Sequence, residues 1–386
     1  MEQNGKLALL AKRDSKVQKL SEIKRVINKM SSDGKSLRPS TMLKIMKLAS
    51  DNGINLDDSP EIQACVSSLL NSFADRQEAY SPNTVKQLTY NFAVFSRYCT
   101  DQALNSLPAE PATVESFLEY HSSRCHRNTL KSYVWSISKM HRVTGMPNPC
   151  DDEYVKLRLR AISRSKVAAG ETISQAVGFN DVDLDHVIAK LGEPQSVIEH
   201  RDRLILALAY ETMARSMEIA TIKIEDIELR PDGAGVLNIP FSKANKVGKK
   251  DFRYLSPETV GFLASYCREA GIELPSKRLT KSARKAYLFV PCVKGGARRK
   301  VVDGKHIDRK TVYKVFKRYS AVVGKVLSGH SGRVGAAQDM LRDNVTLPAI
   351  QKAGGWSSPE MPARYAQGAD LADGAMARRR GHRGVV

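Results

Sequence analysis

The chain has 386 residues, and its 61 Lys and Arg exceed its 41 Asp and Glu by a formal net charge of +20. Its length and its 42% hydrophobic content predict two or three domains with ordinary cores. The basic excess favours a polyanionic partner such as DNA, with a basic protein of unrelated function as the alternative. No apolar run reaches the ~20 residues that span a membrane, and no signal peptide is recognisable, so we expect a cytoplasmic bacterial protein without a membrane partner.

Residues 1–58 are predicted to form a basic, partly helical N-terminal extension. Apolar residues recur at helical spacing between Val17 and Met30, and residues 36–52 could form a second helix. Two interpretations are open for this segment. It is a solvated, partly ordered tail, which we favour, or it adds a contact to DNA or to a partner protein.

Residues 59–164 have the pattern of an all-helical domain. An amphipathic helix is predicted over residues 62–80, and Ser81 followed by Pro82 is a typical helix start. Further helices are predicted from residue 111 and from residue 128. The side chains expected in the core of this domain are Phe92, Phe95, Tyr98 and Trp135.

Residues 165–178 are predicted to be an interdomain linker, because they are small, polar and without periodicity. A second domain is predicted over residues 179–386. Short strands are expected at 220–224 and 236–241, joined by the turn signal Arg-Pro-Asp-Gly, with a returning strand at 252–255. The fold class is therefore mainly α, with a small antiparallel β-sheet in the second domain.

A dense basic segment lies between Lys277 and Arg318, where fifteen Lys or Arg residues stand against two Asp. This density predicts a track for a DNA backbone rather than an ordinary solvated face. The six cysteines contain no Cys-x-x-Cys pair, and the eight histidines show no metal-binding spacing. We therefore expect reduced thiols, no metal site and no cofactor.

The most informative stretch contains His330, Arg333, Trp356 and Tyr365. His330 and Arg333 are three residues apart and would share one face of a helix. Arg supplies a fork of donors that matches phosphate oxygens, His supplies a donor or a proton shuttle, and Tyr is a possible nucleophile. Singly, His-x-x-Arg is usually a surface pair and a lone Tyr is usually half-buried packing. An upstream arginine, Arg215, strengthens the interpretation.

Together these motifs resemble the tyrosine site-specific recombinase, or phage integrase, family, and within it the Cre-like branch. The resemblance covers residues 60–380 approximately and rests on Ser-Gly-His-Ser-x-Arg-Val-Gly-Ala-Ala-x-Asp-Met at 328–340 and on Ala-Gly-Gly-Trp at 353–356. It implies a C-shaped clamp on DNA, made of a helical core-binding domain and a catalytic domain whose C-terminal helix docks on a neighbouring subunit. The residues that match the family's catalytic signature are Arg215, Glu218, Lys243, His330, Arg333, Trp356 and Tyr365. Lys246, Lys249 and Lys250 compete with Lys243 for its role.

The resemblance also implies a mechanism and a partner. Tyr365 would form a 3′-phosphotyrosyl bond, Lys243 would protonate the leaving 5′ oxygen, and Glu218 would orient Arg215 or His330. A monomer in free solution would become a homotetramer on two double-stranded DNA sites with inverted-repeat arms and would pass through a Holliday junction, without ATP or metal. The residues expected to contact DNA are Lys86, Gln87, Tyr90, Asn128, Lys131, Ser132, Lys310 and Tyr313. A type IB topoisomerase-like enzyme and a non-catalytic DNA-binding or replication protein remain the alternatives.

Overall fold

The computed structural model describes residues 37–56, 59–240, 251–276, 278–292 and 305–366, together with Ser21, Arg25 and Arg380. The contacts within the chain divide it into two compact units, Met1–Ile173 and Ser174–Val386. The division falls inside the segment for which a linker is predicted.

The first unit is helical. Its helices are α1 (Pro39–Asp51), α2 (Pro60–Ala74), α3 (Pro82–Asp101), α4 (Pro111–Ser122), α5 (Arg127–Thr144) and α6 (Glu153–Ala168), with 3₁₀ turns at Gln77–Ala79 and Pro149–Asp151. The start of α3 confirms the prediction, since Ser81 caps it by accepting a hydrogen bond from the backbone N–H of Thr84 at 3.2 Å. Pro82 follows at the first helical position, where its missing N–H has no intrahelical partner to lose.

Among its described residues, the first unit has two apolar cores. One is formed mainly by α1 and α2 and includes Met42, Ile45, Ile62 and Leu69. The other surrounds α3, α4 and α5 and includes Phe95, Phe117, Leu130 and Ile137. Because α1 shares its core with α2, the interpretation of residues 1–58 as a solvated tail is wrong for residues 37–56. The helix predicted between Val17 and Met30 lies, apart from Ser21 and Arg25, outside the described residues.

Trp135 is exposed, which corrects its predicted place in the core. Helix α5 buries Leu130, Tyr133 and Ile137 along one face, whereas Trp135 lies on the opposite face and keeps 43% of its surface exposed. Phe95 is fully buried as expected, and Phe92 and Tyr98 pack against the same core while partly exposed.

Two predicted boundaries in the first unit also change. The helix predicted over residues 62–80 ends at Ala74, where Arg76 donates a hydrogen bond to the carbonyl of Ser72 at 2.6 Å and closes the last turn. Helix α6 continues through Ala168 into the predicted linker, because no residue interrupts it before Gly170, whose φ is +86°.

The second unit combines helices with a three-stranded antiparallel sheet in the order β1-β2-β3. Its elements are α7 (Asp181–Leu191), α8 (Val197–Glu211), α9 (Ser216–Ala220), β1 (Ile227–Leu229), β2 (Gly235–Asn238), β3 (Phe252–Leu255), α10 (Pro257–Ala270), α11 (Lys281–Lys285), α12 (Arg309–Tyr319), α13 (Ser331–Arg342), α14 (Leu347–Gly354) and α15 (Glu360–Ala366), with a 3₁₀ turn at Ile224–Asp226. Leu237 of β2 pairs with Ile227 on one side and with Arg253 on the other. The predicted fold class, mainly α with a small antiparallel sheet, is confirmed.

Helix α8 forms the centre of the second unit. Its residues from Leu204 to Ala209 are all almost completely buried, and α7, α10, α12 and α13 pack around it. This arrangement places the end of α8, and the turn at residues 212–215 that follows it, beside the start of α13. Among the described helices, none combines the length and the apolar character needed to cross a membrane.

The strand predicted at residues 220–224 is absent. Residues up to Ala220 complete α9, and Lys223 makes a single antiparallel bridge with Tyr287. The alternation Ile222-Lys-Ile224 does bury both isoleucines, but Asp226 accepts a hydrogen bond from the backbone N–H of Lys223 at 2.8 Å and bends the chain into a 3₁₀ turn. The sheet therefore begins later, at Ile227.

Candidate active site

Arg333 lies at the centre of the candidate site, in the first turn of α13. Its Nη1 donates to the backbone carbonyl of Met213, and its Nη2 donates to the carbonyl of Gly354 at 2.7 Å. The guanidinium also lies over the ring of Trp356, 4.1 Å from the ring centroid. Because a guanidinium carries five N–H donors, these contacts fix its position and leave further N–H groups for an anion.

Trp356 contacts both Arg333 and Tyr365. The Trp356 and Tyr365 ring centroids are 5.6 Å apart with an interplanar angle of 56°, and both residues are almost completely buried. A Cβ at position 354 would lie 2.0 Å from the indole ring, so glycine at this position allows the ring to fold back onto the end of α14. The short helix α15 then carries Tyr365 to the same cluster.

Arg215 is held by Glu218. The Glu218 carboxylate accepts from Arg215 Nη1 at 2.7 Å and from the Arg215 backbone N–H at 2.8 Å, so it orients the side chain and also caps α9. Glu218 is predicted to orient either Arg215 or His330, and in the structure its carboxylate binds Arg215. Next to this pair, Ser216 Oγ donates to the carbonyl of Gly329 at 2.9 Å and joins the segment to the loop before His330.

The charges of these residues influence one another. Burial, together with the positive charges of Arg215 and Arg253, lowers the pKa of Arg333 to about 10, while Glu218 and Tyr365 act in the opposite sense. The pKa of His330 lies below its usual value, because protein atoms partly desolvate the ring and because Arg333 and Arg215 repel a third positive charge. His330 nevertheless remains exposed to solvent. The ring is therefore neutral near pH 7, beside two cationic guanidinium groups whose positive charge favours an anion.

The structure thus brings together the predicted catalytic side chains, with one exception. Lys243 and its competitors Lys246, Lys249 and Lys250 lie outside the described residues. Within the described part of the chain, no group of three or more His, Cys, Asp or Glu side chains is arranged to hold a metal ion.

Two contributors to the site lie outside the sequence motifs. Met213 adopts a left-handed φ of +50°, which is unusual for a residue with a Cβ, and so aims its carbonyl at Arg333. Arg253 of β3 is buried and donates to Asp251 at 2.8 and 2.6 Å and to the Thr212 carbonyl at 3.3 Å. The alternation along β3 does place Arg253 on the buried face of the strand. Because a buried charge needs a partner, an arginine at such a position indicates a side chain with a specific contact.

The residues predicted to contact DNA lie mostly on exposed helix faces. Their positions are Lys86, Gln87 and Tyr90 on α3, Asn128, Lys131 and Ser132 on α5, and Lys310 and Tyr313 on α12. Ser132 is the half-buried member, and its hydroxyl accepts from Gln87 Nε2 and from Asn91 Nδ2, both at 2.8 Å. Their contact with DNA stays a prediction.

Comparison with known proteins extends the resemblance. The phage integrase family matches residues 183–371. Recombinase cre of Escherichia phage P1 is 29% identical over 312 residues, which are 80% of this chain and 91% of cre. The integrase/recombinase xerD homolog of Selenomonas ruminantium is 23% identical over 310 residues, covering 78% of this chain and 86% of the homolog.

A solved structure shows the same fold. It is the crystal structure of the XerH site-specific recombinase bound to palindromic difH substrate, which matches with a TM-score of 0.57 and 18% identity over 94% of both chains. The family match begins within α7 and spans every element that brings a described side chain to the site. The chain belongs to the tyrosine recombinase, or phage integrase, family.

Proposed function

We propose that this protein is a site-specific recombinase that cuts and rejoins double-stranded DNA through a covalent bond to Tyr365. Membership of the tyrosine recombinase family makes the protein an enzyme of DNA strand cleavage and rejoining and supports site-specific recombination. The observation that carries the finer proposal is the cluster in which Trp356 contacts both Arg333 and Tyr365. A rigidly held cation and a phenol thus share one aromatic neighbour.

In the first chemical step, the phenol oxygen of Tyr365 attacks the scissile phosphorus in line. A bond between phosphorus and the tyrosine oxygen forms as the bond to the 5′ oxygen breaks, which leaves a 3′-phosphotyrosyl linkage and a free 5′-hydroxyl. Negative charge on the non-bridging oxygens is stabilised by Arg215 and Arg333, which are positioned before substrate binds. Neutral His330 donates a further hydrogen bond.

Lys243 supplies the proton to the leaving 5′ oxygen in this proposal, with Lys246, Lys249 and Lys250 as the competing donors. The phosphotyrosyl ester keeps the energy of the original phosphodiester, so attack by a 5′-hydroxyl of a partner strand reseals the DNA without ATP. Exchange between two duplexes through a Holliday junction then requires four protomers on two sites with inverted-repeat arms. The free protein is monomeric.

Covalent trapping tests this proposal. The full chain is incubated with duplexes that carry random arms arranged as inverted repeats, the reaction is stopped with detergent, and the DNA recovered with protein is sequenced. We expect one shared arm motif from the wild-type protein and no adduct from Tyr365→Phe, which should still bind the same site. Tyr154→Phe is the matched control, because Tyr154 is 72% exposed in the first unit and should leave the adduct unchanged.

The other outcomes separate the alternatives. An adduct that survives Tyr365→Phe would show that another residue is the nucleophile. Recovery of DNA without a shared motif would indicate a type IB topoisomerase-like activity. Binding to a defined motif with no adduct from the wild-type protein would indicate a non-catalytic DNA-binding or replication protein.

A further inference from the structure

Helices α3 and α5 repeat one another in sequence. The start of α3, Asn83-Thr-Val-Lys86, corresponds to Asn128-Thr-Leu-Lys131 of α5 at an offset of 45 residues. The same offset relates Tyr90 to Trp135, so each helix carries one aromatic residue four positions after its lysine. Trp135, which the core of the first unit does not use, therefore has a counterpart among the residues predicted to contact DNA.

The two helices also contact one another through equivalent positions. Gln87 Nε2 donates to Ser132 Oγ at 2.8 Å, and Asn91 Nδ2 donates to Ser136 Oγ at 3.1 Å, and both pairs are separated by the same 45 residues. Helices α3 and α5 therefore contact one another at positions that match in sequence, and Tyr90 and Trp135 take matching positions along their helices.

Both aromatic residues lie in the exposed faces of the pair. Tyr90 is 67% exposed and Trp135 is 43% exposed. Residues four apart share a helix face, so Lys86 neighbours Tyr90 and Lys131 neighbours Trp135. Asn128 stands one further turn along the face of Trp135. Each aromatic ring therefore has a lysine as a neighbour on its own helix face.

The charge of the pair matches a polyanion. The basic residues of the two helices are Lys86, Arg97, Arg127, Lys131, Lys139 and Arg142, against the single acidic residue Asp101 at the end of α3. Arg127 and Arg142 are paired with Glu171 and Asp151 respectively, whereas Lys86 and Lys131 stand exposed beside the two rings. A surface of this kind fits the phosphates and base edges of double-stranded DNA.

We infer that Trp135 contacts the bases of the DNA arm, as the counterpart of Tyr90, and contributes to the choice of target site. The inference rests on the proposed function. An indole has a broad apolar face, and the base-edge group that such a face recognises in the major groove is the 5-methyl of thymine. Lys131 and Asn128 hold the backbone and the neighbouring bases, and the indole discriminates for thymine.

The test uses the full-length protein and the arm motif that the wild type selects from random duplexes. Binding of labelled duplex is followed by fluorescence anisotropy for wild type, Trp135→Ala and Trp135→Phe. We expect Trp135→Ala to weaken binding about tenfold, within the range for loss of one base contact, and Trp135→Phe to recover part of the loss. The dependence of binding on salt should not change, because Trp135 neutralises no phosphate. Tyr154→Ala serves as the control, since it removes an exposed ring from another helix of the unit.

Replacing single thymines of the motif by uracil, which lacks the methyl, locates the contact. At one position the replacement should weaken wild-type binding about as much as Trp135→Ala does, and it should have no effect on Trp135→Ala. The inference is overturned if Trp135→Ala selects the same motif with unchanged affinity, or if every uracil replacement affects both proteins equally. An intact Tyr365-dependent adduct in that case would leave the proposed function standing. A wild-type protein that forms no adduct and selects no motif would remove both.

Discussion

Replacing Trp356 by Ala removes the ring that contacts both Arg333 and Tyr365. The indole supports the guanidinium from one side at 4.1 Å and packs against the tyrosine ring at 5.6 Å. Met213, Val334 and Ile350 complete the same buried cluster. Nothing in this cluster replaces the indole once it is gone, so the substitution should affect both stability and catalysis.

The loss of stability follows from burial. Trp356 is 7% exposed, and replacing a buried Trp by Ala costs about 3–5 kcal/mol. Of this amount, about 2 kcal/mol corresponds to a desolvated contact between a cation and an aromatic ring. In a unit of this size, 1 kcal/mol shifts Tm by about 2–4 °C. The thermal transition of the second unit should therefore fall by roughly 6–20 °C.

Differential scanning calorimetry of the full chain tests this figure, and Trp135→Ala is its control. Trp135 is the other tryptophan of the chain and is exposed, so its replacement should change stability by less than about 0.5 kcal/mol. Covalent adduct formation by Trp356→Ala should slow about 100-fold, the loss typical when one positioned donor of a reaction site is impaired. Equal Tm shifts for the two alanine variants, or an unchanged adduct rate in Trp356→Ala, would refute the role assigned to the indole.

Two further predictions concern pH and backbone conformation. Burial lowers the pKa of His141 to about 4 from its ordinary 6.5, so the unfolded chain binds a proton that the folded chain lacks. The stability contributed by the neutral ring is present above pH 6.5 and is lost as pH falls towards 4, by about 3 kcal/mol in total. Urea midpoints at a series of pH values measure this loss of stability, and NMR titration measures the pKa of the ring. Gly355→Ala should lower stability by more than the 1–2 kcal/mol that a left-handed φ costs. The reason is that the Cβ of an alanine at this position, with a φ of +58°, would lie 2.0 Å from Arg253 Nη2. Calorimetry of this variant and of Gly324→Ala measures the difference.

Each of these predictions has a clear contrary result. The backbone N–H of Ala109 donates to His141 Nε2 at 2.9 Å, so Nδ1 carries the proton and donates to the Ile137 carbonyl. A His141 resonance that titrates near pH 6.5 would show that this buried arrangement is wrong. Gly324 has a φ of +64° and no atom within 4 Å of an added Cβ, so equal losses at positions 324 and 355 would rule out the contact with Arg253.

Local signals in the sequence account for the helix starts and for most of the candidate site. Ser81 and Pro82 begin α3 as predicted, because capping depends on neighbouring residues only. Trp135 departs from the prediction because a large apolar side chain is usually buried, whereas its phase relative to Leu130 and Ile137 places it on the opposite face of α5. The strand predicted at 220–224 had the right alternation, but its partner around Tyr287 is too short to form a ladder.

The supports of the site depend on long-range geometry and could not be predicted from motifs. Met213 and Gly354 hold Arg333 through backbone carbonyls, which every residue possesses. Their direction depends on a left-handed turn in one case and on the end of α14 in the other. The pairing of Glu218 with Arg215, by contrast, is local and follows from their spacing of three residues.

The bond between Arg333 and the Met213 carbonyl joins positions 120 residues apart in the chain. During synthesis the turn at residues 212–215 leaves the ribosome long before α13, and α13 leaves before Tyr365. A nascent chain therefore lacks both the bond that holds Arg333 and the ring of Tyr365 while most of its helices already exist. The order of residues along the chain thus completes the candidate site late, after the helices of the first unit and most of those of the second have been synthesised.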